Sequence, residues 1–306
     1  MRKLIVLIAS FSIVTNLSFS ADKRIDTVKN KKETSALRSA MITMLVKDNI
    51  KEVIPVLCDI VTDEKEDLKL RISAAKGLGV LKDISSAEVL ESVIEKDMVI
   101  NDPSKIGLIG VNYDYVPDDY DLKLVALDSL FAIDEPKSIS KLASNFTYFL
   151  DAKGEILTKF LSNLEKSKNK TNEEVIQNLS ILIKHNEPKV RLKVIEFIES
   201  TNNQSLVVDL MPALEDKLSE VRIAAVKAIG KIGRSLAIPA LIVFLEYEKS
   251  EDVRFVTSEV LESVKEGPFP KKEKYVEILS KIIESEKSVK VKEKLQKVLE
   301  KIKKIR

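Results

Sequence analysis

One pattern returns in phase along most of this 306-residue chain, and it leaves few folds open. Its clearest copy is Val221-Arg222-Ile223-Ala224-Ala225-Val226-Lys227-Ala228-Ile229-Gly230-Lys231-Ile232. Counting Val221 as position 0, apolar residues fall at +4, +7, +8 and +11, on one face of a helix of 3.6 residues per turn. Small residues at +4 and +7 let a neighbouring helix approach closely. The pattern returns at Leu70, Leu122, Val190 and Val253, and in weaker form at Leu37, Ile156 and Val291. Successive starts are 33, 52, 34, 34, 31, 32 and 38 residues apart. The long step is one period plus an insertion of roughly 20 residues.

Partner helices fill the intervals. Ile238-Pro239-Ala240-Leu241 precedes Val253, and Ile54-Pro55-Val56-Leu57 precedes Leu70. Proline suits a helix's first turn, where its missing N–H costs little. Each unit is thus a helical hairpin too thin to bury its own apolar face, and stacking buries it. The spacing predicts an all-α solenoid of about eight hairpins over residues 34–306, with an insertion at about 97–120. Hydrophobic residues at 44% supply a sizeable core, and 8 Gly and 9 Pro fit a helix-rich chain.

The first residues follow another logic. Met1-Arg2-Lys3, an apolar run from Leu4 to Val14 and Ser18-Phe19-Ser20-Ala21 fit a secretory signal peptide cut after Ser20. An uncleaved anchor helix is the alternative, although the run is short for a span of ~20 residues. Residues 21–33 read as a linker, and no later segment is expected to be long and apolar enough to cross a bilayer. The expected location is periplasmic or secreted. Cys58, the one cysteine, lies in an apolar helical stretch and is expected to be inert.

The segments Ala237-Ile238-Pro239-Ala240-Leu241 with Val253-Arg254, and Val221 through Gly230, resemble the HEAT repeat. The step near 32 is closest to the short HEAT-like repeats of phycobilin lyases. The resemblance covers about residues 34–305. It implies a right-handed superhelix with second helices on the concave side, and functions in scaffolding and partner binding. HEAT-type metal hydroxylases need paired His-Glu motifs, which this chain, with His185 as its one histidine, lacks. One His and one Cys make no transition-metal site from the usual ligands. No catalytic residue, metal or cofactor is expected, and His185 reads as a helix-end residue. A formal charge of +2 gives no basic field for nucleic acid.

Two places invite a partner. Position +2 of the second helices is about 180° from the core direction, yet it holds Ile72, Leu124, Leu192, Ile223 and Phe255, while +6 is polar. Stacked, these would form an apolar ladder on the concave wall. The alternative is packing under the loop of their own hairpin. On the first reading, Leu192→Glu, Ile223→Glu and Phe255→Glu leave the melt nearly unchanged and abolish binding. The insertion brings Tyr113, Tyr115 and Tyr120, which suit contacts, or else forms a packing flap.

Two charged features read mainly as structure. Arginines at +1 (Arg38, Arg71, Arg191, Arg222, Arg254) suggest ladders with turn carboxylates. Residues 271–306 hold 13 basic and 6 acidic residues, an amphipathic cap that leaves open attraction to an anionic envelope surface. The expected function is a non-catalytic, exported protein–protein interaction scaffold. An enzyme-accessory or lyase-like protein and a surface tether are the alternatives.

Overall fold

The computed structural model describes residues 20–96, 119–146, 154–264 and 271–304. These divide into two compact units. The first holds residues 20–96 and 119–138, and the second holds the described residues from 139 onward.

In the first unit α1 (Ala21–Lys29), α2 (Ser35–Lys47), α3 (Ile54–Thr62), α4 (Leu68–Leu81), α5 (Ala87–Glu95) and α6 (Tyr120–Ile133) pair as hairpins. Side-chain caps start several of these helices: Thr34 Oγ1 accepts from Leu37 N–H, and Asp67 Oδ1 from Lys69 and Leu70. The second helices α2, α4 and α6 pack side by side. The expected face is the buried one: Leu70, Ala74 and Leu78, then Leu122, Ala126 and Leu130, are all fully buried. Gly79 marks the closest approach, since a Cβ there would lie 2.7 Å from the Ser129 Cα of the next second helix. The glycines of Gly77-Leu78-Gly79 therefore serve helix packing.

Helix α7 (Pro136–Asn145) follows, and the second unit continues with α8 (Glu155–Leu164), α9 (Glu173–Ser180), α10 (Pro188–Thr201) and the short α11 (Val207–Leu210). Then come α12 (Ser219–Gly233), α13 (Ala237–Tyr247), α14 (Glu251–Ser263), α15 (Lys272–Ser285) and α16 (Val289–Lys304). Here α8, α10, α12, α14 and α16 are the second helices, each packed on the next. Phe146 meets Phe160 of α8 edge-to-face, ring centroids 4.5 Å apart. No strand occurs among the described residues.

Three differences from the sequence-based expectation have physical causes. Residues 21–33, expected as a linker, contain α1, the first helix of the first hairpin. Its apolar contribution is two residues, Ile25 and Val28, too few to register as periodicity, and Arg24 is buried beside them. The insertion ends earlier than expected: Tyr120 opens α6 and is buried. Residues 97–118 and the expected signal, 1–19, lie outside the described residues. Finally, Ser219–Tyr247 is long and apolar enough by composition to cross a bilayer. It is nonetheless two helices, broken at Arg234 (φ 50°, ψ −134°), with their apolar faces in the stack.

Candidate interaction surfaces

The +2 side chains lie one turn into each second helix. Ile72 and Leu124 in the first unit, and Leu192, Ile223 and Phe255 in the second, are all half-buried. By contrast the +6 residues Lys76, Asp128, Glu196, Lys227 and Glu259 are exposed. The +2 row is therefore neither core nor a free apolar ladder, because a helical side chain leans back over the turn N-terminal to it, here the helix's first. The Lys290 ammonium further covers Phe255, 5.2 Å from the ring centroid. Tyr113 and Tyr115 lie outside the described residues.

Four of the five +1 arginines clamp loop carboxylates, while Arg71 donates to Val61 O and lies 3.7 Å from Asp119; in the second unit the geometry repeats. Arg191 Nε and Nη2 donate to Asp216 Oδ2 and Oδ1 at 2.5 and 2.9 Å. Arg222 does the same to Glu248 at 2.7 and 3.0 Å, and Arg254 to Glu286 at 2.7 and 3.0 Å. The Nη1 of each arginine holds its own hairpin's loop, as in Arg222 to Asp216 O at 2.8 Å. Each carboxylate also accepts the N–H two residues on: Leu218, Ser250 and Ser288. Each clamp thus ties one second helix to the loop of the following hairpin, in the bidentate geometry that suits guanidinium.

These contacts shift the carboxyls. Burial pushes Asp216 and Glu248 up, but the arginine and the loop N–H together hold both below the usual carboxylate range. For Glu286 and for Glu66, the arginine bond outweighs burial and lowers the carboxyl. In the first unit Arg38 grips Glu66 at 2.7 and 2.9 Å. At Leu122 the +1 residue is Lys123, fully buried, whose Nζ donates to Val93 O and Lys96 O at 2.7 and 2.6 Å.

A different surface emerges on the first helices. Among the described residues, exposed large apolar side chains include Ile181, Val208, Leu236, Val243 and Tyr247. These five lie on first-helix segments of three consecutive hairpins of the second unit. Val243 and Tyr247 of these five line a groove of about 580 Å³, floored by Met211, Leu214, Ala240, Val243 and Phe244. Tyr247 is 76% exposed at its rim. Of the charged residues there, Arg222 and Glu248 neutralise each other and Asp216 is held by Arg191, so Glu215 and Lys249 remain, one of each sign. Sequence periodicity missed this surface. The signal was present in α13, where Val243 and Tyr247, four apart, are apolar off the face buried by Leu241 and Leu245.

The basic end is partly spoken for. Lys294 pairs with Glu262 at 2.8 Å, Lys290 with Glu251 at 3.2 Å, and Lys301 Nζ donates to Glu262 O at 2.6 Å. These lysines fasten α16 to α14. Cys58 is half-buried, and burial pushes its thiol up. His185 Nδ1 accepts Glu187 N–H at 3.1 Å in the loop before α10. Among the described residues, no three His, Cys, Asp or Glu side chains gather as a metal site.

No curated protein matches the chain. Among solved structures it is similar to the CpcE–CpcF complex of phycocyanin lyase from Nostoc sp. PCC7120, at 14% identity over 94% of this chain and 96% of that one, TM-score 0.32. It is also similar to human deoxyhypusine hydroxylase in complex with glycerol, at 14% identity over 92% and 96%, TM-score 0.35. An engineered protein gives 14% identity over 92% and 96%, TM-score 0.34. The family model for HEAT repeats matches residues 176–262, the stretch from α9 to α14 that contains two of the clamps and the groove. Residues 176–262 of the chain are thus the part that matches HEAT repeats.

Proposed function

We propose that this chain is an exported, non-catalytic scaffold that holds an amphipathic segment of a protein partner. The observation that carries this reading is the groove between the first helices of two consecutive hairpins. Its floor is apolar and its rim charges nearly cancel, so it complements a neutral apolar face and offers little to a phosphate-rich surface. Its volume suits a few inserted side chains rather than a domain. Tyr247 at the rim is the kind of residue that anchors such contacts. Export rests on the basic, apolar and small-residue pattern of residues 1–21. The +2 row remains a second candidate surface, because its side chains are partly accessible along α10, α12 and α14.

Photo-crosslinking in the exporting cell tests this. Benzoylphenylalanine in place of Tyr247 should give a discrete protein adduct, and in place of Glu196 should give none. Adducts from position 192 or 223 instead would move the site to the second helices. No discrete adduct from any of these positions would end the scaffold reading. Intact-mass measurement of the protein from the envelope should show a chain beginning at Ala21.

A further inference from the structure

The groove beside Tyr247 has walls from two consecutive hairpins. One wall is the 3-10 helix Met211–Glu215 that continues α11, and it gives Met211, Leu214 and Glu215. The other is the C-terminal half of α13 with the loop after it, and it gives Val243, Tyr247 and Lys249. Asp216, Arg222 and Glu248, which also line the groove, are held in clamps. Glu215 and Lys249 are both exposed, and neither has an ion-pair partner among the described residues. They stand at the same end of the groove, one on each wall, because each lies at the loop that closes its own hairpin.

The rim charges cancel in sum but are separated in space. One wall is negative, with the apolar hollow of Met211 and Leu214 beside its charge. The other is positive and carries the projecting Tyr247 ring, 76% exposed. A patch with a knob and a hollow, and with opposite charges on opposite sides, is complementary to itself. A two-fold axis along the groove exchanges the walls of two facing copies. Tyr247 of each copy then lies over Met211 and Leu214 of the other. Glu215 of each faces Lys249 of the other, so both charges are paired and no charge is buried alone. A second copy thus uses the tyrosine, the hollow and both charges at once.

We infer that the occupant of the groove is a second copy of this chain, docked groove to groove about that axis. The inference rests on the reading of the groove as a docking surface, and it identifies the segment held there as the second copy's α13. The apolar centre with its two tyrosines supplies the affinity, and the two ion pairs at the rim set the register.

Sedimentation equilibrium of the protein purified from the exporting cell tests it. The parent should dimerise at concentrations of about 100 µM or below, the range of a small interface. Glu215→Lys and Lys249→Glu each set like charges opposite one another twice per dimer, and each should weaken dimerisation about 10-fold. An equimolar mixture of these two variants restores both ion pairs and should dimerise as the parent does. Both side chains are exposed and outside the clamps, and rescue in the mixture shows that each variant is folded. Tyr247→Ala should abolish dimerisation. A parent that stays monomeric at about 100 µM overturns the inference. So does a mixture that associates no better than either variant alone. The photo-crosslink from position 247 separates this inference from the reading beneath it. An adduct of twice the chain mass supports the second copy. An adduct with a foreign protein overturns the second copy and leaves the groove a docking surface, and no adduct from that position ends both.

Discussion

The Arg222 guanidinium bridges two hairpins: it grips the Glu248 carboxylate of the next loop at 2.7 and 3.0 Å while holding Asp216 O of its own at 2.8 Å. The Glu248 side chain is only 3% exposed, so it depends on this partner. Arg222→Ala strands a buried carboxylate and should destabilise the chain by about 3 kcal/mol. Urea unfolding of the parent and of the variant measures it. Arg222→Lys should recover only part of the loss, because an ammonium does not reproduce the planar fork.

The clamps also set an acid limit. Asp216, Glu248, Glu286 and Glu66 are all held below the usual carboxylate range in the folded protein. A carboxyl depressed on folding contributes stability that is fully present above its unfolded value, about 4, and is lost as pH falls through the folded value. Thermal melts should therefore be flat from neutral pH down to about pH 5 and should fall steeply below about pH 4. Glu248→Gln should make that fall shallower.

Gly79 and Gly77 separate two kinds of small-residue position. A Cβ on Gly79 would meet Ser129 backbone at 2.7 Å, which cannot step aside without moving α6. A Cβ on Gly77 would meet only side-chain tips, Leu57 Cδ1 and Val46 Cγ2 at 3.0 Å. Gly79→Ala should cost about 1–3 kcal/mol through overpacking. Gly77→Ala should be near neutral, since a helix-propensity gain of about 1 kcal/mol offsets the crowding. Chemical denaturation of the two variants checks the contrast.

The +2 row calls for a revised expectation. Half-burial means that Leu192→Glu, Ile223→Glu and Phe255→Glu should each cost about 1 kcal/mol, more than a surface change. A core substitution such as Ile229→Glu should cost several times as much. Differential scanning calorimetry on the four variants should rank them in this order. A +2 variant as damaging as Ile229→Glu would mean that the row is core and no part of a binding surface.

Much of this architecture was legible in the chain itself because a helix reports its buried face every three or four residues. Leu70, Leu122, Val190, Val221 and Val253 are all fully buried, as their phase required. The +1 arginines were also legible as ladder residues, since one charge per period at one position implies a repeated partner. Other features escaped for physical reasons. Helix α1 carries too few apolar residues to show a period. The accessibility of +2 depends on how the preceding loop folds back, which no local spacing encodes. The groove lies between helices about 30 residues apart in sequence, and only stacking makes Met211 and Val243 neighbours. The clamp partners escaped individually as well: Asp216, Glu248 and Glu286 look like ordinary turn acids until the arginine opposite each is known.

The nearest-neighbour reach of the clamps has an evolutionary corollary. A hairpin carrying its own arginine and its own loop carboxylate is a self-sufficient module: duplicated or deleted whole, it leaves complementary ends facing each other. Selection can then lengthen or shorten such an array by recombination without redesigning any joint.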